Sequence, residues 1–461
     1  MLPILSPRLK PANGQVGVTF RAYTAPETET HRQPVDTLHI VDTNMYFADY
    51  YHPEITEDLW WGEIEASFTA EETGRFRIRG GGSFFNAGTG IKALVTGQTY
   101  NVTVKFASGA ASKVKDADGV VSFGGSGVRI GGVEVRDADQ EIRRAAELAK
   151  SVDQVVVCVG LNADFEQEGH DSPHMDLHGR TDDLVSAIAA ANPSTTVVVR
   201  SGTPVTMPWA SSVSAIIQAW YGGNEMGNSI TDVLFGNVNP SGKLPLSFLI
   251  RVEDNPAFLN YRSDQGRVLY GEDVFVGYHY YEAVKRPVLD PFGWGLSYTT
   301  FKIDGLQVSH GVTDGDEKIL VRVKWNNTGT VDGSKVVYVA PQHPSITRPG
   351  KELKGFSKSH VKAGQSAQVE IVLSNKYALS FWDEPRKQWV VEAGKYDILV
   401  GTSSSETPLA ATVEGERPAG GQAFECQRLL VEQNIKNRLS PESVEMWLGE
   451  LTRNKLASEW M

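Results

Sequence analysis

Basic runs, long apolar runs and cysteines are all scarce in this sequence, and each absence removes a class of function. No run of Lys and Arg appears, and the formal net charge is −12 at pH 7. The basic face that a phosphate backbone requires is therefore missing, and nucleic acid is excluded as a partner. No apolar run approaches the roughly 20 residues of a membrane helix, so no membrane partner is expected. The opening MLPILSPRLK is interrupted by Pro3 and Pro7 and does not read as a signal peptide. The two cysteines, Cys158 and Cys426, cannot supply a disulfide framework. Compartment stays open, and the N-x-T sequons at Asn101 and Asn326 bear on it only if the protein is secreted.

What is present fits an ordinary globular chain of 461 residues, 41% hydrophobic and 22% charged, long enough for two to four domains. Residues 14–126 alternate with period two in VGVTFRAY, DTLHIVD, WWGEIEASFTA, RFRIRG, KALVTG and TYNVTVKF, which predicts an antiparallel β-sandwich. Trp60, Trp61, Phe84 and Phe85 lie near strand ends, where core anchors and sugar-stacking platforms look alike, with core the first reading. The glycine-rich FGGSGVRIGG (123–132) misses the G-x-G-x-x-G spacing and reads as a linker.

Beyond it the period changes. DADQEIRRAAELAKSV, TDDLVSAIAAANP and GNSITDVLFG read as helices, alternating with the apolar runs DQVVVCVG, STTVVVRSG and SAIIQAW. Such alternation predicts an open parallel α/β sheet over 127–300, with ligands beyond the carboxyl ends of its strands. The segments after Gly160, Arg200 and Trp220 then share one rim. Residues 245–300 read as an irregular connection. Alternation returns over 301–415 as a second, immunoglobulin-sized sandwich, and the tail 416–461 reads as amphipathic and helical.

One stretch carries candidate chemistry. GLNADFEQEGHDSPHMDL (160–177) leaves the first parallel strand at the rim with Asp164, Glu166, Glu168, Asp171 and Asp176. Neighbouring carboxylates and partial burial can raise a carboxyl pKa for general acid/base work, while a solvated acidic loop is the bland alternative. His170, His174 and His178 recur every four residues, but Pro173 and Gly179 interrupt any helix that could aim them at a metal. No cofactor and no metal is expected.

GLNADFEQEGHDSPHMDL resembles the acid/base loop of family 3 glycoside hydrolases. The resemblance continues through SGTPVTMPW (201–209), QAWYGGNEMGNSITDVLFGNVNPSGKLPLSF (218–248) and GRVLYGEDVFVGYHYYE (266–282) to DPFGWGLSYTTF (290–301). The order W-Y-G-G-N-E followed by N-P-S-G-K-L-P is specific to that family. It implies a protective-antigen-like sandwich over 14–126, shortened between Arg79 and Gly80, as in a fungal-type branch. Residues 1–13 would be the remnant of a preceding α/β segment, 127–300 the family's C-terminal α/β domain, and 301–415 its fibronectin type III-like domain.

The implied activity is retaining hydrolysis of terminal non-reducing β-D-glucosyl residues, as in cellulose-type polysaccharide breakdown. Glu168 maps onto the acid/base; Glu166, Asp171, Phe84 and Phe85 are candidates for its environment or for substrate contact. Ser172 stands where the family carries an arginine. The family's (β/α)₈ barrel with its Ser-Asp-Trp nucleophile motif has no counterpart, so autonomous activity is in question. The expected partners are a β-glucoside or oligosaccharide, with a second copy or a separate barrel-bearing chain. Without a barrel, Trp220, Tyr221 and the aromatics of YHYYE are expected to be short of partners. The rival class is a catalytically inactive carbohydrate-binding or accessory protein.

Overall fold

A computed structural model describes residues 9–11, 14–42, 44–47, 50–55, 59–82, 88–110, 124–125, 127–162, 165–166, 172–261, 265–313, 316–342, 348–374, 378–383 and 387–415. The expected remnant (1–8 and 12–13) and the tail 416–461 lie outside them. The chain divides into two compact units, one ending at Glu141 and the other beginning at Ile142.

The first unit is a sandwich of two antiparallel four-stranded sheets. Its strands are β1 (Val18–Tyr23), β2 (Asp36–Ile40), β3 (Asn44–Tyr46), β4 (Trp61–Thr69), β5 (Gly74–Gly82), β6 (Gly88–Leu94) and β7 (Thr99–Ala107), then the short pair β8 (Gly109–Ala110) and β9 (Gly124–Gly125), and β10 (Gly127–Glu134). The sheet orders are β2-β1-β4-β7 and β3-β10-β5-β6. The alternation read in WWGEIEASFTA is realised in β4, where Gly62, Ile64, Ala66 and Phe68 face inward. The core joins Phe20, Phe47, Trp60 and Phe106, with Phe20 and Phe47 stacked at 4.6 Å between centroids. Trp60 is therefore a core anchor. Gly62 makes room for Phe106: a Cβ there would lie 2.2 Å from its ring.

Two expectations change here. The segment read as a linker is β10, which pairs with both β3 and β5 and buries Val128 and Ile130. Its glycines thin the apolar alternation below what period counting detects, while backbone pairing needs no side chains. Leu9, assigned to a preceding segment, is fully buried in the sandwich core, and Lys10 bridges to Ser67. The suspected deletion point Arg79–Gly80 lies within β5, which pairs without interruption with β6 and β10.

The second unit contains a three-stranded parallel sheet of β11 (Val155–Gly160), β12 (Thr195–Arg200) and β13 (Ala215–Gln218), in that order. Helix α1 (Ala138–Lys150), which enters from the first unit, starts at Asp137, whose Oδ1 accepts from the Gln140 N–H at 2.9 Å, a helix cap. Helix α2 (Thr181–Ala191) ends at Asn192, whose side-chain amide donates to the carbonyls of Ala149 and Val152 at 3.0 and 2.8 Å. One buried Asn thereby ties the ends of both helices. Helix α3 (Met226–Leu234) follows β13. Among these strands β12 is the buried one; β11 leaves Val156 50% exposed, so its continuous apolar run is covered on one face only.

Among its described residues the connection read as irregular is so, apart from a short 3-10 turn (Val252–Asp254), α4 (Tyr278–Ala283) and a bridge between Phe248 and Asp290. It leads into a second sandwich. β14 (Phe301–Thr313), β15 (Asp316–Asn327) and β18 (Ser366–Ser374) form one sheet, and β17 (Gly355–Val361), β16 (Gly333–Gln342), β21 (Gly394–Gly401) and β22 (Leu409–Gly415) the other. β19 (Phe381–Asp383) and β20 (Gln388–Val390) pair as a hairpin. This core is mainly aliphatic around the buried Trp325 and Tyr396.

Candidate active site

The rim expected from the strand order is built at the carboxyl ends of β11, β12 and β13. β11 closes on Gly160, which lies so near β12 that a Cβ would meet the Arg200 carbonyl oxygen at 1.9 Å. The Leu161 N–H then donates to that same oxygen at 2.7 Å. The chain turns at once: the N–H groups of Phe165 and Glu166 both donate to the Asn162 carbonyl at 2.9 Å. The Gly-Leu-Asn run thus has a mechanical reading. Glycine permits the strand contact, and the Asn162 carbonyl closes the turn that carries Glu166 back over the sheet.

Glu166 lands on the exits of the other two strands. The Gly202 N–H donates to its two carboxylate oxygens at 2.9 and 3.1 Å, and Thr203 Oγ1 donates at 2.6 Å. The Tyr221 hydroxyl donates to Oε2 as well. Burial alone would raise the Glu166 pKa; the bonds from Thr203, Tyr221 and Gly202 outweigh it and hold the carboxyl below the ordinary range. The phenol responds in the opposite sense: burial and the bond to Glu166 push Tyr221 up to about 12. The Arg200 guanidinium sits 5.1 Å from the Tyr221 ring centroid. A carboxylate so held acts as a hydrogen-bond acceptor for three donors at once.

Sequence reasoning did not single out Tyr221, Thr203 or Gly202 as partners of a carboxylate, although SGTPVT and WYGGNE were conspicuous strings. Trp220 precedes Tyr221 with φ +52, a left-handed conformation uncommon for a bulky residue. It stands where the chain leaves β13 and turns Tyr221 toward Glu166. Nearby, Ser201 is fully buried, donates to the Thr203 carbonyl at 2.7 Å, and accepts from Gln218 Nε2 at 3.1 Å.

The loop's far side is anchored separately. Thr206 Oγ1 donates to Asp176 at 2.5 Å, and the Thr206 N–H donates to the Met175 carbonyl at 2.9 Å. Trp209 Nε1 donates to Asp182 at 2.7 Å; burial still raises the Asp182 pKa. His178 stacks on Phe165 at 3.6 Å, and Ser172 Oγ donates to the His174 carbonyl at 2.7 Å. Among the described residues no group of three His, Cys, Asp or Glu side chains is arranged to hold a metal ion.

Of the residues named from sequence, Glu166 is placed as above, whereas Glu168, Asp171, Phe84 and Phe85, like His170, lie outside the described residues. The expectation of bare rim aromatics holds only in part. Tyr221 is 45% exposed, but Trp220 packs edge-on against Phe248 and Tyr281 is buried. Tyr278 stacks on Phe292 at 4.8 Å and donates no claim to the rim, since its hydroxyl receives the Leu353 N–H at 2.9 Å.

Residues 53–278 match the glycosyl hydrolase family 3 C-terminal domain, and residues 336–404 match a fibronectin type III-like domain. The chain is 44% identical to a probable β-glucosidase I of Aspergillus clavatus, over 90% of this chain and 54% of that protein. A crystal structure of β-glucosidase from Kluyveromyces marxianus in complex with glucose superposes with a TM-score of 0.80 at 38% identity, covering 90% of this chain and 52% of that one. DesR, a β-glucosidase from Streptomyces venezuelae in complex with D-glucose, matches with a TM-score of 0.60 at 27% identity, covering 76% and 46%. The chain spans about half the length of the curated relatives it matches.

Proposed function

The chain belongs to glycosyl hydrolase family 3, and from that premise we propose that it supplies the acid/base half of a β-glucosidase active site. The substrate class is a terminal non-reducing β-D-glucoside, hydrolysed with retention. Glu168 protonates the departing glycosidic oxygen and then takes the proton of the water that releases the sugar. The observation that carries this reading is the elimination of its neighbour. Of the two glutamates in the E-Q-E-G string, Glu166 is committed to four hydrogen bonds as a carboxylate, which leaves Glu168 for proton transfer.

A retaining mechanism places its two carboxyl groups about 5–5.5 Å apart. The Asp nucleophile that the family pairs with this acid sits on a Ser-Asp-Trp motif, which does not occur in these 461 residues. In this reading turnover needs that nucleophile from a barrel domain, on further chain or on a separate subunit.

The test uses the chain supplied with a nucleophile domain of the family. Glu168→Ala is expected to slow hydrolysis of an alkyl glucoside by about 10²–10⁴-fold, the usual worth of a general acid. An activated aryl glucoside, whose leaving group needs little protonation, should still form the glycosyl-enzyme. Azide should then restore turnover by attacking that intermediate in the vacated space. Full activity of Glu168→Ala, or no azide rescue, removes Glu168 from the role.

A further inference from the structure

The Glu166 carboxylate gathers donors from two strand exits onto the loop that leaves a third. The Gly202 N–H and Thr203 Oγ1 follow β12, and the Tyr221 hydroxyl follows β13, while Glu166 itself follows β11. Its partners are 36, 37 and 55 residues away along the chain. We propose that Glu166 is a positioning residue: its carboxylate latches the β11 loop to the rim and fixes the base from which the acid/base, two residues on, reaches the substrate. This deepens the assignment of Glu168 and rests on it.

Three features show that the contact is built. Gly202 leaves room for it, because a Cβ there would meet Tyr221 Cε2 at 2.9 Å and Glu166 Oε1 at 3.3 Å. Trp220 holds a left-handed backbone to deliver Tyr221. The donors together outweigh burial and keep the carboxylate charged. Charge matters for strength, since hydrogen bonds to an ionised acceptor are roughly twice as strong as neutral ones. Glutamine is the informative replacement. It keeps the length of the side chain, loses the charge, and turns an NH₂ toward donors that then have no acceptor.

Hydrogen–deuterium exchange on the full chain tests the latch directly. Peptides covering 161–173 should exchange at least about 10-fold faster in Glu166→Gln than in the parent chain, while peptides from the fibronectin-like strands stay unchanged. Glu225→Gln, on the same rim but bonded to Asn228 and Ser229 of the helix that follows it, serves as the control. Acid should loosen the parent loop once pH falls below the ordinary carboxyl range and leave the Gln variant flat. Unchanged exchange in Glu166→Gln overturns the latch.

A kinetic split then separates positioning from mere stability. With the nucleophile domain supplied, Glu166→Gln should lower kcat on alkyl glucosides about 10- to 100-fold, the scale of a misplacement near 1 Å, with KM little changed. Azide should not rescue it, because Glu168 still fills its place. Faster exchange with unchanged kcat overturns the positioning role. If Glu168→Ala instead shows no rescue, the assignment of the acid fails while the exchange result still decides the latch.

Discussion

Two glutamates in the same unit, Glu166 at the strand rim and Glu282 in α4, show opposite ways of keeping a carboxyl group off the surface. Glu166 is met by an N–H and two hydroxyls, and its pKa falls despite burial. Glu282 faces Lys351 at 3.2 Å, beside a small recess lined by Tyr278, Phe292, Leu353 and Ser404. There burial dominates and raises the pKa, with Lys351 and the Ser404 hydroxyl offsetting only part of it. At the more deeply buried Glu282, Lys351 and Ser404 together do not offset burial, whereas at Glu166 the donors do. The consequences for stability have opposite sign. Glu166 favours the fold above the ordinary carboxyl range, and that contribution is lost as pH falls through its lowered value. Glu282 holds its proton more tightly folded than unfolded, so its contribution grows as pH falls into the carboxyl range.

The contrast is sharpest if the cation beside Glu282 is removed. Lys351→Met should cost about 2–3 kcal/mol in urea unfolding at neutral pH, because it leaves a half-buried carboxylate without its cation. The cost should shrink as pH falls into the carboxyl range and Glu282 takes up a proton; an equal loss at neutral and acid pH would mean that packing by the lysine stem carries the effect.

Crowding the donors around Glu166 comes next. Gly202→Ala pushes a methyl against Tyr221 and Glu166, for an expected loss of about 1–2 kcal/mol and faster exchange in the 161–173 loop. Gly242→Ala, where a Cβ meets nothing within 4 Å, should move neither readout. Tyr221→Phe removes one donor of the set and should cost about 0.5–1 kcal/mol, since water can replace a hydroxyl on a half-exposed ring. Its clearer mark is an upward shift of the Glu166 pKa, read by carboxyl carbon NMR. No shift would mean that Gly202 and Thr203 suffice.

The smallest expected effect concerns His279, beside Glu282 on α4. Burial lowers its pKa below the ordinary histidine value, with the Val274 carbonyl and Glu352 pulling up and Lys354 pushing down. Stability from the neutral ring is full above that value and declines as pH falls below it. His279→Phe should flatten the thermal midpoint between about pH 7 and pH 5 relative to the parent chain. An unchanged slope would show that the ring does not titrate there.

The amino-acid pattern by itself determined the sequence of elements. Period-two alternation marked β1, β2, β4 through β7 and the second sandwich, and helical runs alternating with apolar strands marked α1, β11, α2, β12, β13 and α3. These signals are local, because a strand or helix must show its own buried face within a few residues. The order of the strings from GLNADFEQEGHD to DPFGWGLSYTTF was equally legible and carried the family. Tertiary structure alone decided the rest. It made a glycine-rich stretch into β10, whose membership depends on strands β3 and β5 far upstream. It left one face of β11 open where the run of valines read as buried on both sides. It also fixed the surroundings of Glu166, one of two glutamates that stand two positions apart in one string. Nothing in E-Q-E-G says which is held charged; the donors that decide it come from Gly202, Thr203 and Tyr221, 36 to 55 residues away, and meet only when three parallel strands end at one rim.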